Sequence, residues 1–341
     1  MQHRLRHLLG IEPLAAEQVT FLLDQCRPFQ DIQRNSLKKL ATLRGKTVAL
    51  MFFEPSTRTR ISFATAAARL GADTMNLQAE SSSLRKGESL IDTVWTIDAM
   101  KPDCVVMRHA ASGAPHYVAE RLAIPVINAG DGTHEHPTQG LLDALTILDR
   151  LGRLDGLRMT IIGDILHSRV ARSNIHLLAK FGASFTLCGP AMWVPRELET
   201  LAPRIRRVER IEQAVEDADV ILVLRVQQER MHEPALPVDE YVRLYQLTPQ
   251  RLRRAPSEVI VLHPGPMIRG LEIDPAVADG PQSCILEQVT NGVAVRMMLL
   301  YLLIGGPVIE FPEQAADSPA PGGPEKPEKK DKKKDRTNAA D

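Results

Sequence analysis

Residues 47–63 read Thr-Val-Ala-Leu-Met-Phe-Phe-Glu-Pro-Ser-Thr-Arg-Thr-Arg-Ile-Ser-Phe. The first seven form an apolar run that predicts a buried strand over Thr47–Phe53. The next seven, Glu54 to Arg60, are rich in hydroxyls and arginine and open a helix. Hydroxyls and backbone N–H groups at a helix N-terminus point at a docking anion, and the helix dipole favours negative charge there. Arg58 in the first turn adds a planar fork that matches phosphate oxygens. The same pattern also occurs as a plain N-cap followed by surface arginines. Arg108, placed after the next strand, favours phosphate.

Outward from this stretch, the pattern repeats. Apolar runs at Asp103–Met107, Pro125–Asn128, Arg158–Ile162, Ser184–Cys188, Asp219–Leu224 and Glu258–Leu262 predict further buried strands. Helical periods lie between them: Leu141, Leu145 and Leu148 share one face, as do Ala171, Ile175 and Leu178. Gly71 and Gly182 sit where helices end, each followed by a strand. Such alternation predicts an α/β fold of two doubly wound domains, each a mainly parallel sheet with helices on both faces. The expected domains are residues 1–150 and 151–288, joined near Leu151–Gly156, with a last helix over 289–311 packing back on the first. Residues 312–341 are rich in Pro, Lys, Glu and Asp and hold no apolar side chain larger than Ala. That segment is expected to be a disordered tail.

Composition removes several classes of function. Lys plus Arg (42) equals Asp plus Glu (42), and aromatics are 4%, which argues against nucleic acid. The four cysteines, Cys26, Cys104, Cys188 and Cys284, show neither disulfide nor zinc-knuckle spacing and suit a reducing cytoplasm. The uncharged apolar run Met297–Ile304 is far short of the ~20 residues of a membrane span. The N-terminus has no signal-peptide core. The expectation is a cytoplasmic protein with no membrane contact.

In open α/β sheets, ligands bind beyond the carboxyl ends of the strands. Arg58, Arg108, Arg169 and Arg225 all follow predicted strands, which points to a polyanion site. His134-Glu135-His136 invites a metal reading, but a lone H-x-H has no third ligand at a known spacing. His136, just before Pro137 at a helix start, is better placed to donate to a substrate carbonyl, with Gln139 one turn on. No metal or cofactor is expected. Gly163 alone follows its strand, with no G-x-G-x-x-G, so a dinucleotide site fails.

Together, FFEPSTRTRISF, SSLRKGES, VMRH, NAGDGTHEHPTQ, GDILHSRVARSN, LRVQQER and HPGPMIRG, in this order, resemble the catalytic chain of aspartate carbamoyltransferase across roughly residues 1–310. Ornithine enzymes carry His-Cys-Leu-Pro where this chain has His263-Pro264-Gly265-Pro266. The resemblance implies that Ser56, Thr57, Arg58, Thr59 and Arg108 surround the phosphate of carbamoyl phosphate. Thr59, Arg108 and His136 would polarise its carbonyl, and Gln139 and the backbone of Gly265 or Pro266 would hold its amino group. Arg169, Arg225 and Gln227 would grip the carboxylates of aspartate. The loop bearing Lys86, with Ser82 or Ser83, would enter a neighbouring subunit's site, which requires at least a trimer. Glu54 would pair with Arg169 or Arg230 on closure, as an exposed pair of small energetic weight. Val170 stands where some relatives carry Thr, and Ala110 where a Pro is often found. The resemblance leaves open a regulatory chain or a dihydroorotase-like partner, and a different amine acceptor is the nearest rival reading.

Overall fold

The computed structural model describes residues 5–34, 39–78, 88–226 and 236–305. The chain begins with α1 (Ala16–Asp24) and α2 (Arg27–Arg34). A first βα series follows: β1 (Thr47–Phe52), α3 (Thr57–Leu70), β2 (Asp73–Gln78), α4 (Leu90–Ala99), β3 (Cys104–His109), α5 (Ala114–Ala119), β4 (Val126–Asp131) and α6 (Pro137–Leu151). A second series runs β5 (Arg158–Ile162), α7 (Arg169–Ala179), β6 (Ser184–Cys188), β7 (Ile205–Val208), α8 (Ile211–Val215), β8 (Val220–Val223), α9 (Val238–Tyr245), α10 (Pro249–Leu252), β9 (Ile260–Leu262), α11 (Pro275–Ala278) and α12 (Ile285–Leu300).

Both sheets are parallel. The first has the order β2-β1-β3-β4 and the second β7-β6-β5-β8-β9. Strand β1 explains why the apolar runs are unbroken: Val48, Leu50 and Phe52 join one core cluster while Ala49 and Met51 face another. Each sheet covered on two faces needs apolar residues at successive positions. The strand order reverses between β1 and β3 in the first sheet and between β5 and β8 in the second. These reversals leave crevices at the carboxyl ends of the strands, where ligands bind in such sheets.

Two strands lie outside the apolar runs. β2 (Asp-Thr-Met-Asn-Leu-Gln) and β7 (Ile-Arg-Arg-Val) are both sheet edges, where polar side chains remain in water. Glycine at residue 71, with φ 82, does end α3 and lead into β2. β3 and β4 also run further than their apolar segments. Arg108 and His109 belong to β3, and Ala129, Gly130 and Asp131 to β4. The two strands continue pairing past the apolar stretch through a register shift between Met107 and His109.

α12 starts at Ile285, four residues ahead of the expected 289, and packs on α3, α6 and α2. It continues as a π-helical turn over Tyr301–Gly305. By length and composition, Ile285–Gly305 could cross a membrane, but most of it is buried inside the fold. α6 packs on α7, so helices tie the two sheets together. The four cysteines are buried, free thiols. Residues 306–341, including the expected tail, lie outside the described residues.

Candidate active site

A cleft of about 780 Å³ lies between the two sheets' carboxyl ends. Its first-sheet wall carries Ser56, Thr57, Arg58, Thr59, Arg108, His136 and Gln139; its second-sheet wall carries Arg169, Arg225, Gly265 and Pro266. Those residues are widely separated in sequence, and the two strand-order reversals bring them together. Lys86, Ser82, Ser83, Gln227, Glu229 and Arg230 lie outside the described residues.

The start of α3 is built for an anion. Ser56 precedes it in extended conformation, and its hydroxyl makes no capping hydrogen bond. The first-turn N–H groups of a 14-residue helix are therefore not consumed by a side-chain cap. Arg58 is exposed on the cleft, while Thr59 is buried against it. Partial desolvation by the cleft walls, and then the cation of Arg225, lower the Arg58 guanidinium's pKa. Two cations set against each other across an open cleft invite a ligand of opposite sign.

Arg108 and Arg169 share one carboxylate. Glu54 accepts from Arg169 at two points, both 2.9 Å, and from Arg108 Nη2 at 3.3 Å. The Glu54–Arg169 pair was expected to be exposed, and the structure corrects this: the side chains are only 15% and 6% exposed. Screening by water is weak there, so the small energies of surface pairs do not apply. Gly130 makes room for both arginines. Its φ is 112°, and a Cβ there would lie 3.0 Å from Arg169 Nε and 3.3 Å from Arg108 Nη1.

His136 sits at the head of α6, 4% exposed. Burial, with the cations of Arg108, Arg169 and Arg296, pushes its pKa well below the usual range, so the imidazole is neutral. Thr138 Oγ1 accepts from Arg296 Nη2 at 3.4 Å and reaches His136 Nδ1 at 3.5 Å, a long contact. With the hydroxyl donating, Nδ1 accepts and Nε2 carries the hydrogen. The His136 N–H donates to Ser173 Oγ at 2.9 Å, and Ser173 donates to Glu135 at 2.8 Å. Glu135 also accepts from the backbone N–H groups of Ile11 and Glu12. It is therefore a brace for this turn, a role its sequence neighbours do not reveal.

Asp143 is fully buried and orients Gln139. It accepts from Gln139 Nε2 at 2.8 Å, Gln288 Nε2 at 2.7 Å and Asn174 Nδ2 at 2.8 Å. Since the Gln139 amide nitrogen points at Asp143, its carbonyl oxygen is the end left for a ligand. Burial raises the Asp143 pKa to about 6, against the pull of those three donors and Arg296. Gln288 in turn accepts the His263 N–H at 2.9 Å, which ties the Gly265–Pro266 wall to the same network. None of Gly130, Asp143, Asn174, Ser173, Gln288 or Arg296 was legible as functional; polar residues within helices and a glycine after a strand are too common to single out.

This fold and site define a family. Residues 6–149 match the model for the aspartate/ornithine carbamoyltransferase carbamoyl-P binding domain, and residues 155–303 match that for the Asp/Orn binding domain. The chain belongs to the aspartate/ornithine carbamoyltransferase family. Within it, the chain is 58% identical over 298 residues to the aspartate carbamoyltransferase catalytic subunit of Solibacter usitatus, covering 87% of this chain and 99% of that one. It is 55% identical to the catalytic subunit of Syntrophotalea carbinolica, covering 89% and 97%. Aspartate transcarbamoylase from Trypanosoma cruzi, solved with N-(phosphonacetyl)-L-aspartic acid, superposes with a TM-score of 0.81 at 31% identity, covering 88% and 96%. Ornithine carbamoyltransferase from Pyrococcus furiosus superposes at 0.77 with 27% identity, covering 90% and 99%.

Proposed function

We propose that the chain is an aspartate carbamoyltransferase: it transfers the carbamoyl group of carbamoyl phosphate to the α-amine of L-aspartate, an early step of de novo pyrimidine biosynthesis. The observation that carries this reading is the single cleft in which the uncapped start of α3 and Arg108 face Arg169 and Arg225. A phosphate-bearing substrate and a dicarboxylic acceptor together supply the negative charge this cleft lacks. An acceptor with a basic side chain, such as ornithine, would meet arginines where it needs acids.

In this reading, Ser56, Thr57, Arg58, Thr59 and Arg108 hold the phosphate. Thr59, Arg108 and the Nε2–H of His136 donate to the carbamoyl oxygen as charge develops on it. One such preorganised donor is worth ~3 kcal/mol of barrier. The Gln139 carbonyl and the backbone carbonyl of Gly265 or Pro266 accept from the carbamoyl amino group. Arg169, Arg225, Gln227 and Lys86 hold the aspartate carboxylates. The uncharged α-amine attacks the carbonyl carbon, the new C–N bond replaces the C–O bond to phosphate, and the amine's proton leaves as phosphate departs. The substrate arrives activated, so orientation and electrostatics suffice and no protein nucleophile is needed.

The assembly we propose is a cytoplasmic homotrimer whose sites are shared, with the Lys86 loop entering the neighbour's cleft. Support comes from the family pattern around Ser82, Ser83 and Lys86. A regulatory chain or a dihydroorotase-like partner is compatible with the same reading.

The deciding experiment supplies carbamoyl phosphate with aspartate or ornithine to the purified chain and identifies the product. Carbamoyl aspartate without citrulline is expected; citrulline instead would overturn the acceptor assignment. The shared site is checked by mixing inactive Lys86→Ala and Arg58→Ala proteins. Subunit exchange should restore part of the activity, and verified exchange without recovery would refute sharing.

A further inference from the structure

His116, Asp131 and His134 each bring a ligand atom within 4.8 Å of the others. They come from α5, the end of β4 and the turn leading into α6, and none of them lines the cleft. His134 Nδ1 lies 3.1 Å from Asp131 Oδ2 and 3.2 Å from Oδ1. Two ligands on a tetrahedral zinc with legs of about 2.1 Å stand about 3.4 Å apart, so this edge is already near coordination spacing. The His116 ring meets His134 edge-on, with centroids 5.5 Å apart at 67°. Its Nδ1 is buried and has no hydrogen-bond partner among the described residues. A buried ring nitrogen without a protein partner is satisfied by a water or by an ion, and the neighbouring carboxylate and imidazole favour a cation.

The Asp131 carboxylate is held in place by other donors. Asn128 Nδ2 donates to Oδ1 at 2.8 Å, the Glu135 N–H to Oδ1 at 3.2 Å, and the Gly113 N–H to Oδ2 at 2.7 Å. Contacts of this kind orient a ligand carboxylate before a metal arrives. A second grouping, Glu12, His134 and Glu135, overlaps the first. It is the poorer donor set for a transition cation, because it offers one imidazole where the first offers two, and Glu12 is exposed.

We propose that His116, Asp131 and His134 form a zinc-binding site that clips α5 to the turn carrying the catalytic cleft's His136. Two imidazoles and one carboxylate suit a borderline transition cation, while magnesium and calcium want all-oxygen shells. Zinc displaces the proton that His134 Nδ1 shares with Asp131, which is released to solvent, and one coordination position stays open to water. The role is structural, as the site stands behind the cleft wall and not in it.

The test uses the untagged full chain, stripped with chelator and desalted, titrated with zinc chloride by calorimetry. One equivalent per chain is expected, with Kd below about 10 µM. His116→Gln and His134→Asn should each weaken binding at least about tenfold, equivalent to about 1.4 kcal/mol. His167→Asn is the control: it removes a similar pair, His167 Nδ1 to Asp164 Oδ1 at 2.9 Å, which belongs to no three-ligand group among the described residues. Circular dichroism in chelator confirms that each variant folds. Cobalt on the unsubstituted chain should give the visible bands of a four-coordinate nitrogen and oxygen site. The proposal is overturned by the absence of saturable zinc binding, by binding that both substitutions leave unchanged, or by thiolate charge-transfer bands that place the metal on cysteine.

Discussion

Glu54 and Arg169 meet across the two sheets in a two-point ion pair, Oε1 to Nη2 and Oε2 to Nη1, each at 2.9 Å. The same Oε1 also reaches Arg108 Nη2 at 3.3 Å. One carboxylate thus joins an arginine on the first sheet's wall of the cleft to an arginine on the opposite wall. An anion bound at Arg108 would compete for that arginine, and binding would then be coupled to the interdomain pair through Glu54.

Glu54→Gln should therefore destabilise the unliganded protein, by about 3 kcal/mol, because two poorly solvated guanidinium groups lose their shared charge. Phosphate should stabilise the variant more than the parent, since Arg108 no longer divides its interaction. Denaturant unfolding with and without phosphate measures both. Equal phosphate stabilisation in the two proteins would show that Glu54 does not compete with the ligand.

Gly130→Ala tests the close approach of the arginines. The new methyl would meet Arg169 Nε at 3.0 Å, and φ 112° is already strained for any L side chain. The expected cost is about 1–3 kcal/mol of stability. Activity should fall at least about tenfold from displacement of the two guanidinium groups. Steady-state kinetics on folded variant protein decide it; unchanged kcat and KM would mean that the arginines' positions are not critical.

Asp143 has a pH signature. Its folded pKa of about 6 is raised by burial above the ordinary carboxyl value. The native state therefore holds this proton more tightly than the unfolded chain does. The associated stability is fully present below about pH 4 and is lost as pH rises through about 6, a swing on the order of 2–3 kcal/mol. Asp143→Asn should remove this component from the stability–pH curve. It should also disturb the Gln139 amide, which would then face a competing NH2 donor, and raise the KM for carbamoyl phosphate. A variant curve parallel to the parent's between pH 4 and 7 would contradict the burial argument.

Arg225→Ala and His136→Ala should separate the two substrates. Loss of Arg225 is expected to raise the aspartate KM while leaving phosphate binding intact. Loss of His136 is expected to lower kcat by on the order of 10²-fold with a smaller change in KM, as for a donor that acts mainly in the transition state. Initial rates over both substrate concentrations distinguish the cases. A kcat loss for Arg225→Ala alone, with its KM unchanged, would move that residue out of the aspartate site.

Much of this molecule is legible in its sequence, for physical reasons particular to each part. Strands buried on both faces, such as β1 and β5, must be apolar throughout, and that is visible as a run. The edge strands β2 and β7 bury only one side's worth of contacts, so their polar residues conceal them. The chemistry at the strand ends, Arg58, Arg108, His136, Arg169 and Arg225, shows because open parallel sheets present ligands there.

What the sequence by itself determined is the parallel α/β architecture and the cleft side chains that follow strand ends, Arg58, Arg108, His136, Arg169 and Arg225, since both follow from local hydrophobic pattern and from position along a strand. Only the tertiary structure decided how those side chains are held. Asp143 meets Gln288 across 145 residues of chain, Glu54 meets Arg169 across 115, and Gly130 lies against Arg108 of β3 and Arg169 at the start of α7. Hydrogen bonds and ion pairs between distant segments depend on distances of a few tenths of an ångström. No periodicity in the chain encodes those; they arise when the two sheets and α12 pack.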